Sequence, residues 1–240
     1  MDKVKFNQKV IKGFEQMGIR YNNKILNYLQ TYLLFLLEEN KKYNLTAIKE
    51  PSQVIIKHFY DSLAIWGEME LAQGKLIDVG TGAGFPGLVL KIISPQLNTV
   101  LLDSQAKRIN FLNQLIKKLD LPGIIAIHER AETLGNDQLH RESYDWVVSR
   151  AVATVNVLSE YTLPLARVGG RIIFYKGPDV AAELKEGQVA IEELGGEITA
   201  VKALTVPELA GERYLVFIEK VKQTPFKYPR RSGIPKKRPL

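Results

Sequence analysis

The stretch Lys75 to Gly87 (KLIDVGTGAGFPG) constrains this chain more than any other. A short apolar run ends in Asp78, glycines alternate at Gly80, Gly82 and Gly84, and Pro86 opens the next helical run. Glycine lets a backbone turn sharply and come close to a ligand, because no Cβ intervenes. A helix beginning there aims free N–H groups and the positive end of its dipole at the same spot. A strand, a glycine loop and a helix in this order make a nucleotide-type cofactor site.

The surroundings fit an α/β fold. Short apolar runs at 75–79, 98–102, 123–127, 144–148 and 171–175 read as strands, and the stretches 86–93, 105–119, 154–166 and 178–194 between them read as helices. Ser104 is expected to cap the second helix and Thr154 the third. Such alternation implies parallel strands with right-handed crossovers. Two final strands, 196–203 and 213–220, lack a helix between them and are expected to pair as an antiparallel edge. Upstream, residues 3–18 (Val4, Ile11, Phe14, Met17) and 22–40 (Ile25, Leu29, Tyr32, Leu33, Leu36, Leu37) carry helical apolar stripes. Pro51 starts a further amphipathic helix through Trp66, so the first 70 residues read as a helical cap.

Composition excludes several chemistries. With 240 residues, 45% of them hydrophobic, the chain suits one domain with appendages. It has no cysteine, hence no disulfide, thiolate metal site or thiol nucleophile, and no metal is expected. No signal-peptide pattern opens it and no apolar run is long enough for a bilayer, so a cytoplasmic protein without membrane partners is expected. The net charge of +7 divides into +5 for residues 1–60, −6 for 61–219 and +8 for 220–240. Basic ends around an acidic centre suggest a polyanionic partner. Arg230, Arg231, Lys236, Lys237 and Arg238 have no acid near them in sequence, and four prolines among the residues from Gln223 onward suggest an extended RNA-binding arm.

The register of the glycine loop narrows the cofactor. Gly82, Gly84 and Gly87 satisfy a bare dinucleotide fingerprint, but counting from Gly80 puts Phe85 where its third glycine belongs. The pattern from Asp78 to Gly84 is instead acid-x-G-x-G-x-G. In this the chain resembles the Rossmann-like class I methyltransferases, which use S-adenosylmethionine and whose mostly parallel seven-stranded sheet ends in an antiparallel hairpin. The resemblance implies that the glycine loop passes under the methionine moiety. It further implies that Asp103 takes the ribose hydroxyls, that Ala131 and Glu132 border the adenine, and that Arg150 stands where methyl group and acceptor meet.

A closer resemblance covers almost the whole chain. Asn44-Leu45-Thr46, His58-Phe59-Tyr60-Asp61-Ser62-Leu63, the loop DVGTGAGFPG, Ser149-Arg150-Ala151, Lys176-Gly177 and the ending YPRRSGIPKKRPL occur in register. Together they resemble the glucose-inhibited division protein B family of small-subunit ribosomal RNA guanine-N7 methyltransferases. The family implies an acceptor, one guanine in the 530 loop of 16S rRNA, presented as free rRNA, as the 30S subunit or as an assembly intermediate. It also implies cofactor contacts at Gly80, Phe85, Ala131, Glu132 and Arg150, besides Asp78, Gly82, Gly84 and Asp103 of the loop and ribose site. Ring nitrogen seven has a free lone pair, so no general base is expected. Asn44, Lys176 and Arg150 are the expected positioning residues, with His58 and Asp61 either at the base or tying their helix to the sheet; Tyr43 is a stacking candidate.

The implied organisation is a helical cap (1–72), an S-adenosylmethionine-dependent domain (73–222) and a basic arm (223–240). Another methyl acceptor is the main alternative, and a nicotinamide oxidoreductase or a non-catalytic RNA-binding module the lesser ones. Deleting the arm is expected to abolish substrate binding but spare cofactor affinity.

Overall fold

A computed structural model of the chain describes residues 1–69 and 73–240. The cap boundary expected at residue 72 lies outside them. The cap comprises α1 (Lys3–Gln16), α2 (Asn23–Tyr43), α3 (Pro51–Val54), a π-helical segment Ile55–Tyr60, α4 (Asp61–Leu63) and α5 (Trp66–Met69). Then follow β1 (Gly74–Val79), α6 (Gly87–Ile93), β2 (Leu97–Asp103), α7 (Ala106–Leu119), β3 (Ile124–His128), α8 (Ala131–Leu134), β4 (Tyr144–Arg150) and α9 (Val155–Thr162). The chain closes with β5 (Ala166–Lys176), α10 (Val180–Glu193), β6 (Gly196–Leu204), β7 (Arg213–Lys220) and α11 (Ile234–Lys237).

The sheet has seven strands in the order β3-β2-β1-β4-β5-β7-β6. The first five run parallel, and β7 lies antiparallel between β5 and β6. The expected fold class and edge hairpin are therefore observed. Both faces are covered, which is why the central strands read as unbroken apolar runs. One core joins the cap to α6 and α7 through Phe6, Leu29, Tyr32, Phe59, Leu88 and Phe111. The other gathers Ile77, Val147, Leu158, Phe174 and Ile191 beneath α9 and α10. Each fully buried Leu or Phe contributes about 1.5–3 kcal/mol relative to exposure, so the cap is fastened to the sheet by a shared core. Val4 departs from the expected stripe: α1 buries Phe6, Val10 and Phe14 instead, and Val4 faces solvent.

Helix ends differ in detail from expectation. Gln105, not Ser104, sits at the cap position of α7, and Asp103 Oδ1 accepts from its N–H. Thr154 does precede α9, but its hydroxyl donates to Asn156, and Glu183 accepts from Val155 N–H in its place.

The C-terminal residues are not a free extended arm. Arg141 donates to the carbonyls of Thr224 and Tyr228, and Glu142 accepts from Thr224 N–H. Buried Lys220 reaches Leu163 O and, at 3.1 Å, Glu142; burial pushes its pKa down to about 8 against the pull of Glu142. Arg230, expected to be free for RNA, grips the fully buried Glu160 through Nε (2.9 Å) and Nη2 (2.5 Å). A buried carboxylate demands a partner, and Arg230 supplies it from 70 positions away. Arg231, Lys236, Lys237 and Arg238 remain exposed.

Candidate active site

The glycine loop is braced from below. Asp78 is wholly buried, and its Oδ2 accepts from the Thr81 hydroxyl (2.6 Å) and Gly87 N–H (2.8 Å), tying both ends of the loop. Burial raises its pKa to about 6, opposed by those two bonds. Asp78, expected among the cofactor contacts, lies under the loop and braces it through Oδ2. From the cap, Tyr32 Oη donates to Ala83 O at 2.5 Å. Gly80, Gly82 and Gly84 all have positive φ. A Cβ on Gly84 would lie 2.6 Å from Tyr32 Oη, whereas one on Gly82 would meet nothing within 4 Å. Gly82 thus faces open space.

A hollow of about 190 Å3 lies at the carboxyl ends of β1, β2 and β3, where Gly80, Asp103, Ala131 and Glu132 come together, and Gly82 is tied to it by its N–H bond to Asp103. Asp103 accepts from Gly82 N–H and Arg108 Nη1 on Oδ2 and from Gln105 N–H on Oδ1. Three donors leave a carboxylate room for a further one. Glu132 Oε1 accepts from Gly233 N–H at 2.8 Å, so the C-terminal segment braces a residue that lines this hollow.

A second hollow, of about 470 Å3, lies beyond the ends of β4 and β5. Val152 lines the first hollow and Ala151 and Ala153 line the second, so the turn after β4 is the wall between them. Ala151 holds φ 56°, a left-handed conformation that costs a non-glycine residue about 1 kcal/mol. In the second hollow Arg150 Nη1 meets Asp61 Oδ2 at 2.5 Å and Lys57 O at 3.2 Å, and Nη2 lies 3.3 Å from His58 Nδ1. Burial, helped by Arg150, lowers the His58 pKa from 6.5 to about 3. Since Arg150 can only donate, Nδ1 accepts, and His58 Nε2–H faces Thr46 Oγ1 at 2.9 Å.

Phe85 is buried and stacks on Tyr32 (5.1 Å) and on His58 (4.4 Å), with the Arg150 guanidinium over its ring. Phe85 and Arg150, both expected cofactor contacts, are not among the residues lining the first hollow; the stack holds them between the cap and the loop. Lys176 is buried, with Nζ bound to Glu183 (2.6 Å) and Ala153 O (2.7 Å), so it pins the dividing wall. Asn44 ends α2 in a left-handed conformation and lines a separate hollow with Lys41 and Lys49. It therefore does not join Arg150 and Lys176, as expected of it; Tyr43 beside it is exposed.

Comparison with known proteins identifies the family. The sequence model of the GidB family, described as rRNA small subunit methyltransferase G, matches residues 25–214. The chain belongs to this family. A GidB relative from Desulforamulus reducens, named ribosomal RNA small subunit methyltransferase G, is 51% identical over 88% of both chains. TrmN from Thermus thermophilus shares the fold, with a TM-score of 0.52 and 16% identity over 67% of this chain and 48% of that one. So does geranyl diphosphate C-methyltransferase from Streptomyces coelicolor, solved with S-adenosyl-L-homocysteine (TM-score 0.51, 13% identity, 66% and 78% covered). The sheet is thus that of the class I methyltransferases, and the expected family is the observed one.

Within this GidB chain, sequence reasoning missed four residues of the second hollow or its supports. The sequence places Tyr32 only on an apolar stripe. Lys57, Glu183 and Arg213 stand in no motif, and only the packing of the π-helical segment, α10 and β7 around β4 and β5 brings the last three together. No described helix is long and apolar enough to cross a membrane. Among the described residues, no His, Cys, Asp and Glu cluster is arranged to hold a metal ion.

Proposed function

We propose that this chain methylates ring nitrogen seven of one guanine in the 530 loop of 16S rRNA, using S-adenosylmethionine. The observation that carries the reading is the pair of adjoining hollows divided by residues 151–153, in a chain of the GidB family. The residues of the first hollow fit the cofactor. The open face of Gly82 leaves room for it, Asp103 has acceptor capacity for a ribose hydroxyl, and Ala131 and Glu132 offer an edge for adenine.

S-adenosylmethionine supplies a methyl group already activated on a sulfonium. Ring nitrogen seven carries a free lone pair, so the protein's task is placement and exclusion of water. Arg150, held by Asp61 and Phe85, shapes the pocket for the base, and Lys176 fixes the wall between base and cofactor. Asn44, with Lys41 and Lys49, receives RNA flanking the target, and Arg231, Lys236, Lys237 and Arg238 add electrostatic affinity. The cap, the cofactor domain and the C-terminal segment then act as one body on rRNA or an assembling 30S subunit in the cytoplasm.

Mass mapping of 16S rRNA from cells lacking the gene tests this. Loss of one methyl in the 530 loop, restored by the wild-type gene, is the expected result; unchanged rRNA overturns it. Calorimetry with S-adenosylhomocysteine against NAD separately tests the cofactor.

A further inference from the structure

Four cations line the second hollow: Lys57, Arg150, Lys176 and Arg213. Only two carboxylates, Asp61 and Glu183, face them there, and His58 is held neutral, so the hollow is net positive. The four are not equivalent. Arg150 is closed in by Asp61 and the carbonyl of Lys57, and Lys176 by Glu183 and Ala153 O. Lys57 is exposed, on the π-helical segment. Arg213, at the start of β7, has its side chain 34% exposed, and its Nε lies 3.7 Å from Asp61 Oδ1. That is too far for a hydrogen bond but close enough to orient the guanidinium. Among the described residues, its Nη1 hydrogen-bonds only the neighbouring carbonyl of Glu212.

Resting on the rRNA reading above, we propose that Arg213 and Lys57 clamp a backbone phosphate of the acceptor RNA at the mouth of this hollow. Arg150 and Lys176, the cations that sequence motifs single out, instead hold the pocket's shape. A guanidinium presents a planar fork that matches two phosphate oxygens, and an ammonium opposite adds a point charge. Such contacts set the register of the nucleotide without reading its base. The clamp draws on elements far apart in sequence: the sheet order β4-β5-β7 sets the first residue of β7 near β4, and the bond from Arg150 Nη1 to Lys57 O holds the π-helical segment at the same hollow.

The test measures binding and methylation of in vitro transcribed 16S rRNA, and of 30S subunits from cells lacking the gene, across a potassium chloride series. For whichever substrate the wild type methylates, Arg213→Ala and Lys57→Ala should each lower the slope of log affinity against log salt by about 0.7–0.9. Each should raise KM for RNA about tenfold with kcat little changed, and leave S-adenosylhomocysteine affinity as it is. Arg213→Lys should restore the salt slope but not full affinity, since lysine lacks the fork. Weaker binding with an undiminished slope, or unchanged binding, overturns the clamp. A wild type that methylates neither substrate overturns the functional reading instead.

Discussion

Asp61, at the start of α4, and Arg150, at the end of β4, meet at 2.5 Å across 89 positions of sequence. Their side chains are 10% and 12% exposed, so the pair is largely shielded from water. It joins cap to sheet at the hollow assigned to the acceptor, and it aims the guanidinium that lies over Phe85. Removing one partner of such a pair strands the other's charge, at about 3–5 kcal/mol. Asp61→Ala should therefore lower stability by about 3 kcal/mol and, by letting Arg150 move, reduce methyl transfer about a hundredfold. Urea denaturation and single-turnover assays check both, and a variant with wild-type turnover would deny the pair its role in the site.

The loop glycines separate folding from binding. Gly84 combines φ 104° with a Cβ position 2.6 Å from Tyr32 Oη, so Gly84→Ala should destabilise by several kcal/mol or prevent folding. Gly82 has φ 62° and empty space above it, so Gly82→Ala should cost only about 1–2 kcal/mol while its methyl blocks the cofactor. Calorimetry with S-adenosylhomocysteine on the folded Gly82 variant decides; full affinity would remove the cofactor from this loop.

The C-terminal cations divide into two classes. Arg230→Ala leaves Glu160 buried without its partner and should destabilise by about 3 kcal/mol. The triple change Lys236→Ala, Lys237→Ala and Arg238→Ala should leave stability near wild type and reduce RNA affinity with a shallower salt slope. Deleting residues 223–240 should unfold the protein, because Lys220, Glu142 and Glu160 all lose partners. A stable, cofactor-binding truncation, checked by melting and calorimetry, would return this segment to the status of a free arm.

His58 makes stability depend on pH. Its pKa is about 3 in the fold and near 6.5 unfolded, so below pH 6.5 the unfolded chain takes a proton that the folded one refuses. Native stability from this group therefore falls by about 1.4 kcal/mol per unit as pH drops from 6.5 toward 3. Asp78 acts oppositely: its folded pKa of about 6 lies above 3.8, so its contribution is present below 3.8 and lost as pH rises through 6. Comparing wild type with His58→Gln cancels the Asp78 effect. Urea titrations at pH 7.5, 6 and 5 should show the wild-type advantage shrinking with acidity, and a constant gap would mean that the imidazole titrates freely.

Asp103 and Lys176 should also part company. Asp103→Ala removes both the proposed ribose acceptor and the support of Gly82 N–H. It should weaken S-adenosylhomocysteine binding by about 2–3 kcal/mol. Lys176→Ala, which loosens the wall at Ala153, should affect turnover far more than cofactor affinity. Isothermal titration of both variants measures the order, and its reversal would mean that the ribose lies elsewhere.

Local pattern alone was enough for the parallel core, the edge hairpin and the glycine loop. Strand runs, helix stripes and loop glycines answer to sterics and burial within a few residues of themselves, and Gly80, Asp103, Ala131 and Glu132 each end or follow a strand whose place in the sheet topology dictates. Partnership across the chain has no such local mark. Nothing near Arg230 in sequence announces that Glu160 will hold it, and nothing near Arg150 distinguishes a free cation from one bound by Asp61. Lys176 and Arg213 carry the same charge in the sequence. Only the packed sheet buries the first against Glu183 and leaves the second at the rim, because burial demands a counterion and exposure does not.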